Sequence, residues 1–374
     1  MTDKEKLFFE LIRVAIGTQD SLSQLPSNKE WKALYDMAMK QSLVGVCFAA
    51  LQRLGADADE GFTRIGMSEM LYLTWMGVTA KIQQKNDIVN RQCVELQKRL
   101  SQEELQSCIL KGQSAAALYG NELSRLRQSG DIDAWVNASR KDIIKYVQKI
   151  APTTNVREHH MELEAFEETE VEIHFWPAVI RHFLKNRKLQ SWFEGKRNEV
   201  FCNHINLHGS SDFTICAPTP EFHAVQQMAH MYHHLFDSGI GLRQVMDYYF
   251  VLKALSATPE KRKTLAADIK HIGMGRFASA MMYALHVTMG LDEEMMILAP
   301  NKKDGEFLLG EIMRGGNFGK YDNKKTRNTS NYFSSFYGSI FRNLRYLRFN
   351  PFDWFWSPLW RLYYFGWRKI NGYH

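Results

Sequence analysis

The chain has 374 residues, of which 45% are hydrophobic and 24% charged, so it is long enough for two or three domains and has the composition of a globular protein. Its formal net charge of +6 is concentrated beyond residue 300, where 13 Lys and Arg face five Asp and Glu. The rest of the chain is slightly acidic, which argues against a nucleic-acid-binding protein that is basic throughout.

The cysteines and the N-terminus bear on the cellular compartment. Five cysteines, an odd number with no Cys-x-x-Cys spacing, argue against a disulfide framework and against a cysteine-ligated zinc site. The charged segment Met1–Lys6 does not resemble a signal peptide. The chain also has no run of about 18 apolar residues, so we expect no membrane-spanning helix. These features predict a cytoplasmic protein.

The first 104 residues are predicted to form a helical domain. Apolar residues recur at helical spacing in two early stripes, and a third helix is expected from Met67 towards Leu100. The segment Leu25–Asn28 separates the first two helices, with Ser27 or Asn28 as the cap. The two stripes are Leu7, Phe8, Leu11 and Val14, then Trp31, Leu34, Met37 and Ala38.

Residues 105–180 have the pattern of a small mixed α/β sheet. Short apolar or alternating segments predict strands, and segments rich in small residues or with period-3.6 hydrophobicity predict helices. The predicted order is strand, helix, strand, helix, strand, strand. The segments are a strand ending at Lys111, a helix over Gly112–Tyr119, a strand from Asp131, a crossover helix over Arg140–Ile150, and paired strands over His159–Glu164 and Glu170–Phe175.

Acidic residues occur on two of these strands. Successive side chains of a strand point to opposite faces, so Asp131 and Asp133 share a face and lie roughly 7 Å apart along the chain. Glu172 on a later strand is the expected third carboxylate, with Glu170 available on the same face. Carboxylate oxygens are the ligands that Mg²⁺ prefers. His174, also on this face, could orient a carboxylate, act as a base or hydrogen-bond within the sheet.

Residues 181–314 return to helical patterns and are predicted to form a domain that closes a cleft over the sheet. The segment Phe222–Leu235 contains four histidines, and the next helix is predicted over Leu242–Leu255. His230 and His234 are spaced i,i+4, but no glutamate follows the first histidine and no third ligand is evident, so the pattern argues against a zinc peptidase site. Two further helices are expected over Lys261–Ile272 and Phe277–Met289.

Residues 315–374 are predicted to form a glycine-rich linker followed by a basic aromatic tail. From Asn331 to His374, 17 of 44 residues are Phe, Trp or Tyr, and six Lys and Arg accompany a single acid, Asp353. Aromatic rings beside cations suit the headgroup region of a membrane, a protein partner or stacking on nucleic acid. We therefore expect peripheral membrane or protein contact through residues 331–374.

Four short motifs together resemble a known family. They are Leu110-Lys111-Gly112, Arg127-x-x-Gly130-Asp131-Ile132-Asp133, Glu172-Ile173-His174 and Leu242-Arg243-x-x-x-Asp247. Their order resembles the DNA polymerase β-like nucleotidyltransferase superfamily, and more narrowly a bacterial group of uncharacterised nucleotidyltransferases, over about Ile109 to Leu252. Each motif is weak alone and the combination is more specific.

The resemblance implies roles for individual residues. Asp131, Asp133 and Glu172 would be the catalytic residues and would bind Mg²⁺, with Mn²⁺ as the alternative ion. A nucleoside triphosphate carries dense negative charge, so cations and backbone N–H groups near the glycine turn would bind it. The residues expected to bind the nucleotide are Lys111, Gly112, Ser114, Arg127, Gly130, His234 and Arg243.

Each of these residues also has an ordinary structural interpretation. Asp131 and Asp133 could form a polar turn after glycine. Lys111 and Arg127 could be solvated surface charges. Arg243 and Asp247, four residues apart on a helix, could form a surface ion pair that contributes only a few tenths of a kcal/mol.

The sequence therefore predicts a mostly helical α+β protein with a small mixed-sheet nucleotidyltransferase core. We expect a Mg²⁺-dependent, cytoplasmic enzyme that transfers a nucleoside monophosphate, for example from ATP, to an unidentified acceptor (a protein, a tRNA or a small molecule) and releases pyrophosphate. The alternative is a catalytically degenerate scaffold that acts through its aromatic tail. Gln113 favours this alternative, because it follows Gly112 where the superfamily's motif continues with Gly or Ser.

Overall fold

The computed structural model describes residues 1–56, 61–207, 211–255, 258–321, 344–347 and 351–372. The N-terminal region is helical, as predicted. The first two helices begin at capping boxes, Thr2 with Glu5 and Ser27 with Glu30, in which side chains satisfy the free N–H groups of the first turn. The helices are α1 (Asp3–Ile16), α2 (Asn28–Gln41), α3 (Val44–Arg53), α4 (Gly61–Arg64) and the long α5 (Glu69–Gln102).

A four-stranded mixed sheet follows, in agreement with the predicted core. Its strands lie in the order β1-β2-β4-β3, with β1 antiparallel to β2, β2 parallel to β4 and β3 antiparallel to β4. The elements are β1 (Ser107–Ile109), α6 (Gln113–Ala116), α7 (Gly120–Ser124), β2 (Ile132–Val136), α8 (Arg140–Ile150), β3 (His160–Leu163) and β4 (Val171–His174).

The crossover helix α8 explains why β2 and β4 can be parallel. A parallel pair needs a long connection, and α8 supplies it after β2. The helix buries Ile143, Ile144 and Val147 in the same hydrophobic cluster as the sheet residues Ile132 and Ile173. Its apolar side therefore holds the sheet from one face and leaves the opposite face of β2 and β4 for polar side chains.

The second half of the chain is mostly helical, as predicted, but it also contains a hairpin that the sequence interpretation missed. Helices α10 and α11 are buried around most of their circumference, and their buried residues include polar ones such as His233 and Asp247. The elements are α9 (Phe183–Phe201), β5 (His204–Asn206), β6 (Thr214–Cys216), α10 (Pro220–Asp237), α11 (Leu242–Ala254), α12 (Pro259–Ile272), α13 (Gly275–Met289), α14 (Lys302–Gly315) and α15 (Pro351–Ile370).

The segment predicted as a linker is packed where the structure describes it. After α14 the chain makes one 3₁₀ turn, Asn317–Gly319, whose first and last residues are buried. The turn approaches Gly241 so closely that a Cβ there would lie 2.7 Å from the Asn317 Cα. Residues 315–321 are therefore packed against the helices, and the remainder of the predicted linker, with residues 331–343, 348–350 and 373–374 of the predicted tail, lies outside the described residues.

The described part of the predicted aromatic tail packs against the body of the protein. Asp353 of α15 is buried and accepts hydrogen bonds from Lys185 and Tyr232. Further along the helix, the Tyr364 hydroxyl donates to the backbone carbonyl of Val156 at 3.0 Å. Among the described helices, none is long and apolar enough to cross a membrane.

Helix α3 contacts the loop before β2 through Gly45. A Cβ added to Gly45 would lie 2.3 Å from the carbonyl oxygen of Leu126, so Gly45→Ala should lower the free energy of unfolding by about 1–3 kcal/mol. Gly77→Ala is the matched control, because a Cβ at this position in α5 meets nothing within 4 Å. It should stabilise by about 0.5–1 kcal/mol. Urea denaturation measures both, and equal effects would contradict the close contact.

Candidate active site

Two predicted metal ligands lie side by side on the parallel strands β2 and β4. The register pairs Asp133 with Glu172, and side-chain alternation puts both on the polar face of the sheet. Only 1% of the Asp133 side chain is exposed, compared with 23% for Glu172. Ligand atoms of Asp133, Glu172 and His174 lie within 4.8 Å of one another. The fold therefore holds two carboxylates and an imidazole on one rigid surface.

His174 contacts both carboxylates. Its Nε2 lies 2.9 Å from the Asp133 Oδ1 and 3.1 Å from the Glu172 Oε2. Burial by itself would lower the pKa of His174, but its hydrogen bonds to the two carboxylates outweigh burial and raise that pKa to about 9. The imidazolium therefore supplies positive charge to the cluster. Of the roles that the sequence left open for His174, contact with the carboxylates is the one present here.

Lys111 supplies a second positive charge to the same cluster. Its Nζ lies 2.9 Å from the Asp133 Oδ1, and 18% of its side chain is exposed. Burial disfavours the ammonium form, but the carboxylates of Asp133, Asp131 and Glu172 more than compensate and raise the pKa of Lys111. The interpretation of Lys111 as a solvated surface charge is therefore wrong.

Asp131 lies just before β2, at the junction of two cavities, both of which it lines. In the described part of the chain it does not belong to the compact group of Asp133, Glu172 and His174. Its negative charge nevertheless acts on Lys111 and on Glu172. The three predicted ligands thus surround one region, with Asp131 on the open side.

The donor atoms of this cluster fit a hard divalent cation. The second oxygen of Asp133, Oδ2, is buried without a hydrogen-bond partner among the described residues. A buried carboxylate oxygen without a partner is costly and commonly marks the position of an ion or water. Carboxylate oxygens suit Mg²⁺ and Mn²⁺. Asp131, Asp133 and Glu172 are the residues that would hold such an ion.

The glycine turn after β1 leads directly to this cluster. Gly112 has φ +65°, which favours glycine, and a Cβ there would lie 3.4 Å from the carbonyl oxygen of Asp131. Gln113 is buried, and its side-chain amide donates to Asn90 of α5 and lines neither cavity. Ser114 is also buried, and its hydroxyl donates to the Lys111 carbonyl at 3.4 Å.

Arg127 forms a buried bidentate ion pair with Asp247 of α11. Its Nε and Nη2 donate to the two carboxylate oxygens at 2.6 and 2.8 Å. The Tyr119 hydroxyl donates to the same carboxylate at 2.7 Å, and Asn86 of α5 donates to the carbonyl of Arg127 at 2.8 Å. Arg127 is therefore not a solvated surface charge. These contacts fix the loop that ends at Gly130 and Asp131.

Arg243 lies on α11 one turn before Asp247, and both residues are buried, so the alternative interpretation of a surface ion pair is wrong. Its Nη1 donates to the carbonyl of Gln128 at 2.9 Å, and its guanidinium lies 5.6 Å from the ring centroid of Phe318. The remaining Nε is buried without a partner among the described residues. Arg243 thus contacts the same loop as Arg127 and still has a free donor.

Two adjoining cavities border these residues. The smaller one, of about 40 Å³, lies at the glycine turn. The larger one, of about 520 Å³, extends away from it along the open side of the sheet. Lys111, Asp131, His230 and Phe318 line both. Of the predicted nucleotide-binding residues, Lys111, Gly112, Arg127, Gly130 and Arg243 line the smaller cavity and His234 lines the larger one.

Histidines from two elements, α10 and the β3 segment, form one side of the larger cavity. The Nδ1 of His234 is hydrogen-bonded to the Ser238 hydroxyl at 2.6 Å. The centroid of its ring lies 5.3 Å from that of Phe318. Burial lowers the pKa of His234 to about 4 and that of His160 to about 3, so both rings are neutral near pH 7. The sequence marked the histidines of α10 but gave no sign that His159 and His160 of the β3 segment join them.

Helix α15 forms the opposite side of the larger cavity, through Trp360, Arg361, Tyr364, Phe365 and Arg368. The sequence predicted this segment to be part of a tail. The composition of the segment alone could not distinguish a helix that lines a cavity from one that lies on a membrane. No local pattern in the sequence pointed to this contact.

Comparisons with known proteins agree with the geometry. The family model described as uncharacterised nucleotidyltransferase matches residues 27–290. These include Asp131, Asp133 and Glu172, and the cavity-lining residues Arg127 and Arg243. A search of curated proteins finds no match to the chain.

The contribution of the buried Arg127–Asp247 ion pair to stability can be tested directly. Asp247→Ala leaves a buried guanidinium unpaired and should lower the free energy of unfolding by about 3–5 kcal/mol in urea denaturation. Asp36→Ala, which removes a surface pair with Lys32, should change it by less than about 1 kcal/mol. Equal effects of the two substitutions would contradict the account. The double variant Arg127→Met/Asp247→Leu should recover part of the loss, because it leaves no unpaired charge.

Proposed function

The chain belongs to the family of uncharacterised nucleotidyltransferases, and from that premise we propose that it transfers a nucleoside monophosphate from a nucleoside triphosphate to an acceptor in a reaction that depends on Mg²⁺ or Mn²⁺. The observation that carries this proposal is the register of β2 and β4, which aligns Asp133 with Glu172 beside the two cavities. Asp131, at the junction of the cavities, completes the proposed set of carboxylates.

We assign the triphosphate to the smaller cavity and its opening. Lys111 and Arg243 line it, and the free Nε of Arg243 is a donor suited to a phosphate oxygen. Arg127 is assigned a positioning role, because Asp247 already occupies its Nε and Nη2. The absence of a Cβ at Gly112 leaves its backbone open to the same cavity.

In the proposed reaction, an acceptor oxygen forms a bond to the α-phosphorus, the bond from that phosphorus to the bridging oxygen breaks, and pyrophosphate leaves. An acceptor hydroxyl gives up its proton, which we assign to the carboxylate of Asp131 because this residue lines both cavities. A bound divalent cation would neutralise phosphate charge and orient the reacting oxygens. The chain itself contributes positioning and charge stabilisation.

The degenerate-scaffold alternative relied on Gln113. Its side chain donates to Asn90, inside the protein, and lines neither cavity. The substitution of Gln for the family's small residue therefore leaves the cavity at the glycine turn open. This supports catalysis over the scaffold.

Substitution of the proposed metal ligands should abolish turnover. Asp133→Asn and Glu172→Gln each remove a negative charge from the cluster, and we expect pyrophosphate release to fall by about 10³-fold or more. Glu170→Gln is the matched control: this exposed carboxylate lies two residues before Glu172 on the same strand face, and activity should stay within about twofold.

The assay follows pyrophosphate release with Mg²⁺ or Mn²⁺, and circular dichroism checks that each variant is folded. Full activity in the folded Asp133→Asn protein would contradict the proposed mechanism. If the Glu170 variant lost activity and the Glu172 variant kept it, the third carboxylate would be Glu170.

A second candidate function is contact of α15 with a membrane surface. It is supported by an outward stripe at helical spacing, in which Phe355, Leu362, Tyr363 and Ile370 are 51% to 87% exposed. Lys369 lies within this exposed end of the helix and would contact anionic headgroups. This function is compatible with catalysis, because the opposite side of α15 lines the cavity.

Vesicle co-sedimentation tests this second function. The full-length protein should sediment with phosphatidylglycerol-containing vesicles and not with phosphatidylcholine alone, and Leu362→Asp/Ile370→Asp should abolish sedimentation. Met70→Asp, at an equally exposed apolar residue of α5, should not change it. Failure of the wild-type protein to sediment with either vesicle would contradict membrane contact.

A further inference from the structure

The larger cavity has a wall that the family match does not cover. The matched region ends at residue 290, whereas α15 comprises residues 351–370. Trp360, Tyr364 and Arg368 of this helix face the carboxylate side of the cavity, which contains Asp131 and Glu172. The proposed catalytic carboxylates thus lie on one wall of the cavity, and α15 forms the other. Because α15 lies outside the matched region, it is well placed to select the substrate for a reaction that the family shares.

Partly buried ion pairs hold α15 in this position. Arg361 donates to the Asp237 carboxylate at 2.6 Å, and Arg181 donates to the same oxygen at 2.9 Å. Near the start of the helix, Lys185 pairs with the buried Asp353. The helix is therefore fixed to α9 and α10 at two places, and the cavity wall does not depend on aromatic packing alone.

Several polar atoms around the larger cavity are buried without a hydrogen-bond partner among the described residues. They include the indole Nε1 of Trp360, which is 6% exposed, the Oε1 of Glu158, and the Nδ1 atoms of His159, His160 and His233. Buried polar groups are normally satisfied. A ligand that both accepts and donates hydrogen bonds would satisfy these atoms. A molecule with several hydroxyl groups is such a ligand.

Among the described residues that line the cavity, one cation is left without an ion pair. Arg181 and Arg361 are neutralised by Asp237 and Glu158. Arg368 is half-buried in the cavity wall and has no ion pair or hydrogen bond with a described residue. A guanidinium in this position is suited to a carboxylate or phosphate, which it binds with two parallel hydrogen bonds.

We propose that the larger cavity is the acceptor site, and that the acceptor is a small ring compound with several hydroxyl groups and one anionic group, as in the sugar phosphates. The ring lies against Trp360 and Tyr364, the hydroxyl groups meet the unpartnered polar atoms, and the anionic group binds Arg368. A volume of about 520 Å³ lies within the range of small-molecule sites. This assignment of the acceptor rests on the proposed function.

Calorimetric titration of the full-length protein with ribose 5-phosphate and glucose 1-phosphate tests the assignment, with ribose and glucose as uncharged controls. At least one sugar phosphate should bind, and binding should weaken about 10- to 100-fold in Arg368→Ala. Trp360→Phe, which keeps a ring and removes the N–H, should weaken it about 2- to 10-fold. Lys369→Ala is the matched control and should have no effect, because this neighbouring cation is exposed and does not line the cavity.

The proposal is overturned if neither sugar phosphate binds the wild-type protein, or if Arg368→Ala and Trp360→Phe both bind as the wild type does. Binding of nucleoside triphosphates is titrated on the same variants and should be unchanged in Arg368→Ala. If the wild-type protein binds no nucleoside triphosphate, the proposed function is refuted. The sugar-phosphate titration is then a separate result.

Label transfer separates small from macromolecular acceptors. The protein is incubated with α-labelled triphosphate and a cell extract divided at about 1 kDa. A new labelled small anionic product, resolved from the nucleotides by anion-exchange chromatography and lost in Arg368→Ala, supports the assignment. Transfer of label only to RNA or protein, or pyrophosphate release without such a small product, overturns it.

Discussion

The parallel pairing of β2 and β4 is the constraint on which the rest of the site depends. It aligns Asp133 with Glu172, so two negatively charged carboxylates lie side by side where they are largely buried from water. Such an arrangement is costly unless positive charge is close. Lys111 and His174 supply that charge from β1's end and from β4 itself. Lys111 and His174 thus neutralise the two carboxylates, and a divalent ion, if bound there as proposed, would replace part of that positive charge.

A second interaction explains how the loop before β2 is held. Arg127 and Asp247 are 120 residues apart, and their buried pair joins the loop before β2 to α11. Arg243 contacts the same loop and the 3₁₀ turn at Phe318. The helical regions on both sides of the sheet therefore position Asp131, although neither contributes one of the three proposed metal ligands.

The sequence could predict the parts of the site that depend on local pattern. The two-residue period of β4 puts Glu172 and His174 on one face, and the main helices follow from propensity and hydrophobic spacing. It could not predict contacts between distant segments. The partner of Asp247 is far along the chain, Phe318 lies in what looked like a linker, and the aromatic and basic composition of α15 would suit a membrane as well as a cavity wall. Only the fold distinguishes these alternatives.

If the carboxylate cluster binds a metal–nucleotide complex, as we propose, nucleotide binding must depend on both the metal ion and the carboxylates. Calorimetry with ATP, GTP, CTP and UTP, with and without Mg²⁺, would be performed on the wild-type protein and on Asp131→Ala/Asp133→Ala. At least one nucleotide should bind only when Mg²⁺ is present, and the double substitution should abolish this binding. Metal-independent binding, or undiminished binding by the folded double variant, would show that the cluster does not bind a metal–nucleotide complex.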